Sequence, residues 1–122
     1  MFYPKELSLM IPQRAEIARM HAELCSGISD PNRIAILYAL SERPSNVTGL
    51  TARLHLPQST VSRHLRILRN SGLVKFERQG REVQYELSDD RVIQALELLR
   101  KVLNERISVH SQLLIQETKE VR

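Results

Sequence analysis

The sequence contains a single cysteine, Cys25, so no disulfide can form within one chain. Such sparse use of cysteine is typical of a reducing compartment. Long hydrophobic runs are also absent: the longest uninterrupted one, residues 34–40, is far shorter than the roughly 20 residues that a membrane-spanning helix needs. Near the start of the chain, Lys5, Glu6 and Pro12 interrupt the apolar residues, which argues against a secretory signal peptide. We therefore expect a cytoplasmic protein that does not associate with membranes.

The residue patterns on which most enzyme active sites depend are missing as well. The sequence shows no carboxylate pair, no nucleophile beside a base and no glycine-rich phosphate loop at a useful spacing. We expect no enzymatic activity, no cofactor and no metal. With 122 residues, 42% of them hydrophobic and 26% charged, the chain has the composition of one folded domain covering residues 1–122.

Positive charge is concentrated in one part of the chain. The formal net charge is only +4, but the segment from Arg53 to Arg81 holds seven basic residues and a single acidic one, Glu77, and so carries +6. The residues before this segment balance to zero, and those after it carry −2. A polyanion such as DNA would therefore meet residues 53–81.

The middle of this basic segment has the periodicity of an amphipathic helix. Val61, Leu65 and Leu68 recur at steps of four and three, which predicts one inward helical face. The opposite face carries hydroxyl and guanidinium groups, which can hydrogen-bond phosphates and the base edges of the major groove. Those outward residues are Ser59, Ser62, Arg63, Arg66 and Arg69.

The order of elements predicts a mainly α protein with a small β-hairpin, that is, a winged helix-turn-helix of five helices. Asp30 and Pro31 have the types expected at the start of the second helix, whose expected core residues are Ile34, Leu37, Tyr38 and Leu40. We expect the helix-turn-helix at about 47–70, with its turn at 55–57, and the wing at about 73–88, with strands 73–78 and 82–87. The first and last helices are expected at about 12–26 and 89–118.

The last predicted helix carries an apolar stripe that is too long for so small a body to cover. The stripe contains Val92, Leu96, Leu99, Leu103, Ile107, His110 and Leu114. A second copy of the chain is its natural cover, and the first helix would contribute to the same homodimer interface. We expect the interface to contain Ile17, Met20, Leu24, Leu96, Leu99, Leu103, Ile107 and His110. A two-fold dimer would place two recognition helices about 34 to 36 Å apart and would require a roughly palindromic DNA site.

Several short motifs, taken together, resemble those of the ArsR/SmtB family of small prokaryotic repressors. The resemblance covers roughly residues 15–115. The matching residues are 29–34 (SDPNRI), 59–65 (STVSRHL) with Leu68, 72–74 (GLV), and 78–81 (RQGR) with Tyr85. The resemblance implies a homodimer that binds operator DNA and is released from it by a metal ion or a thiol-reactive signal. Pro57 stands where the family usually has a serine or similar N-cap, so the recognition helix could start differently here.

We expect the double-stranded DNA partner to be contacted by the predicted recognition helix and the wing. The expected contact residues are Gln58, Ser59, Thr60, Ser62, Arg63, His64, Arg66, Arg78 and Arg81. His64 has two readings, a phosphate contact or packing against the preceding helix. Arg69 lies toward the C-terminal end of the helix, where its reach to bases is doubtful. The alternative function is a winged helix that binds another protein, although such modules usually lose the basic recognition face.

The signal-sensing sites that the resemblance implies transfer poorly to this chain. The family's cysteine-rich motif in the third helix has no counterpart, because residues 45–56 contain no cysteine. Its other metal site would fall on the last helix, where Arg91, Arg100 and Lys101 stand near the positions that ligands would need. His21 and Cys25, four residues apart, remain as a candidate sensor, either redox-active or metal-binding across a dimer; the alternative is that Cys25 is simply a small buried residue.

Overall fold

The computed structural model describes residues 11–120, which divide into two compact units. The first unit ends at Asp89 and contains the helix-turn-helix and the wing; the second begins at Asp90 and consists of one long helix. No helix in the described range combines the length and the hydrophobicity that crossing a bilayer would require.

The first helix is interrupted, contrary to the prediction of one regular helix over 12–26. Helix α1 spans Arg14–Met20 and continues as a π-helical turn over His21–Cys25. At the end of that turn, the Ser26 amide donates to the carbonyl of His21, five residues earlier, at 2.9 Å. The Ser26 hydroxyl donates to the Ala22 carbonyl, four residues earlier. This side-chain bond occupies the acceptor that a regular helix would offer to the Ser26 amide, which explains the wider turn.

Helix α2 spans Pro31–Glu42 and begins as the sequence predicts. The Asp30 carboxylate accepts a hydrogen bond from the amide of Asn32 at 2.8 Å, and Pro31 occupies the first helical position. The carboxylate satisfies one backbone donor at the start of the helix, and the fixed φ of Pro31 suits its first turn.

Helices α3 and α4 form the helix-turn-helix. Helix α3 spans Val47–Leu54, where Asn46 is the N-cap and its side chain accepts from the Gly49 amide at 2.7 Å. His55 ends the helix with φ 55° and ψ 41°, a left-handed conformation that few non-glycine residues adopt. Helix α4 spans Gln58–Asn70, as predicted. Pro57 precedes it without any side-chain cap, so α4 begins where expected despite the missing serine.

The core of the first unit lies where α2, α3 and α4 meet. Leu37 and Leu40 are buried as expected, but Ile34 and Tyr38 are only half-buried, and Ile36, which was not expected, is fully buried. The other large buried side chains are Leu50, Val61, Leu65, Leu68, Leu73 and Val74. The predicted inward face of α4 is therefore confirmed.

The wing is a two-stranded antiparallel hairpin of β1, Val74–Gln79, and β2, Glu82–Leu87. Gly80 and Arg81 form its two-residue loop, and Gly80 has φ 66°, a value that favours glycine. On its other side, β2 is held at one point, because Tyr85 and Ser45 exchange backbone hydrogen bonds of 2.8 and 3.0 Å. This pairing ties the wing to the residue just before the N-cap of α3.

The second unit is helix α5, Arg91–Glu120, which begins two residues later than predicted. The Asp90 carbonyl accepts from the amides of Ile93 and Gln94 at its start. Most of its large apolar side chains are exposed over its length.

Candidate nucleic-acid interface

Helix α4 presents a polar, basic face to solvent because Val61, Leu65 and Leu68 are buried in the core on its opposite side. Its exposed face includes five of the residues expected to contact DNA: Gln58, Ser59, Ser62, Arg63 and Arg66. Thr60 is half-buried. The surface combines hydroxyl and amide groups with long guanidinium side chains, the groups that read base edges and bind phosphates in a major groove.

His64 does not belong to this exposed face, so the expectation that it contacts DNA is wrong. Its side chain is only 3% exposed, on the inward side of α4 with Val61, Leu65 and Leu68. The sequence spacing indicates this placement, since position 64 lies three residues after Val61 and four before Leu68. His64 is thus packed inside the domain, but its polar partner lies on α2 and not on the preceding helix that the sequence suggested.

Arg33 of α2 is the partner of this buried histidine. Its Nη1 atom lies 3.2 Å from Nδ1 of His64, while Nε donates to the Gly27 carbonyl at 2.6 Å and Nη2 to the Ser26 carbonyl at 3.2 Å. One guanidinium thus connects the segment after α1 with the middle of the recognition helix. Sequence patterns do not reveal this role, because the two side chains are 31 residues apart.

The same segment approaches the end of α4 closely at Gly27. A β-carbon at this position would lie 2.8 Å from the Ser71 hydroxyl and 3.0 Å from the Leu73 side chain. Only glycine fits without displacing those neighbours. The approach, together with the bonds of Arg33, fixes the residues after α1 against the helix that carries the basic face.

Two further basic residues of the proposed surface lie in the wing. Arg78 near the end of β1 and Arg81 in the loop are both exposed. Arg78 opposes Val83 across the hairpin and, two residues after Phe76, projects from the same face of the strand as that ring.

Two other arginines of the basic segment have partners within the protein. Arg53 donates to the Ala39 carbonyl at 3.0 Å and to the Glu42 carboxylate at 2.8 Å, so its charge is used between α2 and α3. The guanidinium of Arg69 lies 4.7 Å from the centre of the Phe76 ring. Because Glu42 lies outside residues 53–81, its ion pair with Arg53 makes their net +6 an overestimate of the charge offered to a polyanion, whereas Arg69 keeps its full charge beside the neutral ring.

The apolar residues expected at a dimer interface are exposed in the single chain, with one exception. Ile17, Met20 and Leu24 of the first helix and Leu99, Leu103, Ile107 and His110 of α5 all lie at the surface. Leu96 is only 7% exposed, so it has little surface left to offer a partner. Leu98, Val102, Val109 and Leu113 add a second row of exposed apolar residues on α5 that the predicted stripe did not include.

The candidate sensor residues lie in the π-helical turn. Cys25 is half-buried and His21 is exposed. Within residues 11–120, no three side chains of histidine, cysteine, aspartate or glutamate come together in a way that could hold a metal ion.

Comparison with known proteins identifies the relatives of this fold. The sequence profile of the family described as "Bacterial regulatory protein, arsR family" matches residues 30–75. The transcriptional repressor SmtB of Mycobacterium tuberculosis is 45% identical over 78 residues, which cover 64% of this chain and 58% of that protein. The chain thus spans less than two thirds of the length of this repressor.

Two relatives are covered more completely. The transcriptional regulator NmtR of Mycobacterium tuberculosis is 38% identical over 86 residues, which cover 70% of this chain and 72% of that protein. The crystal structure of NolR from Sinorhizobium fredii superposes with a TM-score of 0.66 at 32% identity, covering 75% of this chain and 92% of NolR. With identity and coverage of this extent, the chain belongs to the arsR family of bacterial regulatory proteins.

Proposed function

We propose that the protein is a homodimeric, sequence-specific DNA-binding transcriptional regulator, acting as a repressor, and that it works in the cytoplasm without catalysing a reaction. The observation that carries this proposal is the exposed face of α4, where Ser62, Arg63 and Arg66 point away from a core formed by the same helix. The exposed arginines of the wing extend that surface by a second element.

The roles of the two elements differ in this proposal. The exposed residues between Gln58 and Arg66 enter the major groove and read base edges, because the N-terminal part of a recognition helix meets the bases. Arg78 and Arg81 bind the flanking phosphate backbone, which positions the domain without specifying sequence. The thirteen residues of α4 hold no acidic side chain that would repel the polyanion.

A homodimer would bring two such surfaces onto one DNA site. The exposed apolar residues of α1 and α5 support this assembly. Leu99 is 61% exposed and Leu103 is 54% exposed, and covering such side chains with a second copy lowers the free energy of the system. A symmetric dimer then requires a roughly palindromic operator.

The proposal is tested by selecting duplexes from a random-sequence DNA library and measuring the affinity of the purified protein across a salt series. We expect enrichment of an inverted repeat. The affinity should fall steeply with salt, by a log–log slope of about 0.9 for every phosphate neutralised. A protein-interaction module would enrich no sequence, and its weak DNA binding would disappear at moderate salt.

We propose His21 and Cys25 as the residues through which a releasing signal acts. Because residues 45–56 contain no cysteine and the last helix carries Arg91, Arg100 and Lys101 near the positions that ligands would need, we expect zinc in moderate excess to change the DNA affinity by less than about tenfold, or about 1.4 kcal/mol. A response to peroxide that the parent shows and Cys25→Ser loses would support the redox role. Identical responses of the two proteins would assign Cys25 to packing alone.

A further inference from the structure

Arg69 stands out because it is an exposed arginine of the recognition helix with an aromatic partner. It lies in the last turn of α4, and its guanidinium carbon lies 4.7 Å from the centre of the Phe76 ring in β1. A cation within about 6 Å of an aromatic face is attracted by the electron density of that face. The contact therefore links the C-terminal end of the recognition helix to the first strand of the wing.

Phe76 is 42% exposed, so burial gives this large ring only part of the stabilisation that it would have in the core. It pairs with Tyr85 across the hairpin, and the two ring centres are 6.1 Å apart at an interplanar angle of 43°. Tyr85 is in turn fixed by its two backbone hydrogen bonds to Ser45. The side chains of Arg69, Phe76 and Tyr85 thus form a continuous stack from α4 to the anchored strand of the wing.

The position of the stack on α4 and β1 determines which DNA contacts it can influence. Arg69 comes one helical turn after Arg66, beyond the part of a recognition helix that normally meets bases. Phe76 and Arg78 project from the same face of β1 because side chains alternate along a strand. Holding the Phe76 ring against Arg69 therefore fixes the direction of the strand face that carries Arg78.

We propose that Arg69 is a positioning residue: through Phe76 it sets the angle between wing and recognition helix at which Arg78 and Arg81 meet the DNA backbone while α4 lies in the groove. This inference rests on the proposed DNA-binding function. It assigns Arg69 to a task different from that of Arg63 and Arg66, although all three are exposed arginines of one helix.

The decisive experiment is a double-mutant cycle with Arg69→Met, which keeps most of the aliphatic stem, and Phe76→Leu, which keeps an apolar side chain. DNA affinity is measured for the parent, both single variants and the double variant, on the duplex selected by the parent and across a salt series. We expect each single variant to bind roughly two- to fivefold more weakly, the range of an exposed cation–π contact. The double variant should be no weaker than the single variants.

The salt dependence separates positioning from direct contact. If the wing loses its angle, Phe76→Leu should lower the log–log salt slope by about one although it removes no charge, because a wing arginine no longer reaches its phosphate. Arg66→Met is the matched control on the same helix, and its effect should add to that of Phe76→Leu. Arg69→Lys, which retains a cation, should keep most of the parent affinity.

The stack itself is observed in the free protein by NMR. The Nε proton of Arg69 should show an upfield ring-current shift that Phe76→Leu removes, while circular dichroism shows that both variants remain folded. Additive effects of Arg69→Met and Phe76→Leu, an unchanged salt slope in Phe76→Leu, or the absence of the ring-current shift would overturn the inference. Failure of the proposed function is a separate result, seen when the parent itself selects no duplex, and it would remove the DNA-binding role of the stack as well.

Discussion

The Nη1 atom of Arg33 lies 3.2 Å from Nδ1 of His64, and this contact joins helix α2 to the interior side of the recognition helix. A guanidinium only donates hydrogen bonds, so Nδ1 must accept and the imidazole is neutral with its proton on Nε2. Asp30, the N-cap of α2, lies 3.9 Å from that Nε2 atom. The helix that carries the basic face is therefore held through a buried group whose charge state can change with pH.

The first prediction concerns the pH dependence of folding. Burial lowers the pKa of His64, the charge of Asp30 opposes this effect, and the charges of Arg33 and Arg63 lower the pKa further, so the net shift is downward. The unfolded chain, whose histidine pKa is about 6.5, then binds the proton more tightly than the folded protein. The stability contributed by neutral His64 should be complete above about pH 6.5 and should fall as the pH drops toward the lowered folded pKa. Urea unfolding at pH 7.5 and pH 5.5 measures this loss.

The control for this prediction is His64→Gln, which cannot titrate but can still accept a hydrogen bond from Arg33. We expect this variant to lose a smaller part of its free energy of unfolding between the two pH values than the parent does. If the two proteins lose equal amounts, the pH dependence arises from other groups and His64 does not contribute to it.

The second prediction concerns Arg33 itself. A lysine at this position has one ammonium group and cannot reach the Gly27 carbonyl, the Ser26 carbonyl and the His64 ring together. Arg33→Lys should therefore lower the free energy of unfolding by about 1 to 3 kcal/mol, since it leaves an acceptor at buried Gly27 or buried His64 unsatisfied. Arg14→Lys, an exposed position at the start of α1, is the matched control and should change stability by less than about 0.5 kcal/mol. Equal stability of Arg33→Lys and the parent in urea unfolding would show that the three hydrogen bonds of Arg33 do not stabilise the fold.

Much of this architecture follows from local sequence. The spacing of Val61, Leu65 and Leu68 predicts the inward face of α4, and the pair Asp30 and Pro31 predicts where α2 begins, because both signals act within one or two helical turns. Residues that act across the fold escape such reasoning. Arg33 gives no periodic signal for its contact with His64, since only the packing of α2 against α4 brings the two together.

The corrections have similar physical causes. The π-helical turn at His21–Cys25 depends on a side-chain bond of Ser26 that competes with the backbone, which no periodicity reveals. His64 is a different case. Its spacing agrees with the buried face, but its polarity suggests the surface, and only the structure shows that Arg33 forms a hydrogen bond with its ring inside the domain. Arg69 likewise resembles a surface cation in the sequence and becomes distinct only when the wing brings Phe76 over it.

The third prediction separates base reading from backbone binding. If Arg66 forms a bidentate contact with a guanine, Arg66→Ala should weaken binding to the selected duplex by about 1 to 3 kcal/mol and should relax the preference at one base pair. Arg81→Ala in the wing loop should instead weaken binding to all sequences alike and lower the log–log salt slope by about one. Affinity measurements on the selected duplex and its single-base variants check both statements.

The triple variant Arg63→Ala, Arg66→Ala, Arg81→Ala is the strongest form of this test. All three side chains are exposed, so their truncation leaves the core intact, and circular dichroism should show the parent's helix content. Binding of duplex DNA by the folded triple variant with the affinity of the parent would show that the DNA-facing surface lies elsewhere on the protein.

The fourth prediction concerns the dimer. Leu99 is 61% exposed on α5, so a charge placed there costs an isolated chain little, but a second copy would have to bury that charge against apolar partners. Leu99→Glu should therefore weaken the dimer at least about tenfold, because a desolvated, unpaired carboxylate costs several kcal/mol. Sedimentation at micromolar concentration should show a dimer for the parent and a larger monomer fraction for Leu99→Glu. Gln94→Glu, an exposed polar position on the same helix, is the matched control and should remain dimeric. A parent protein that sediments as a stable monomer would contradict the dimer. If Leu99→Glu dimerises as tightly as Gln94→Glu, the interface lies on another surface. The exposed row of Leu98, Val102, Val109 and Leu113 would then be substituted next.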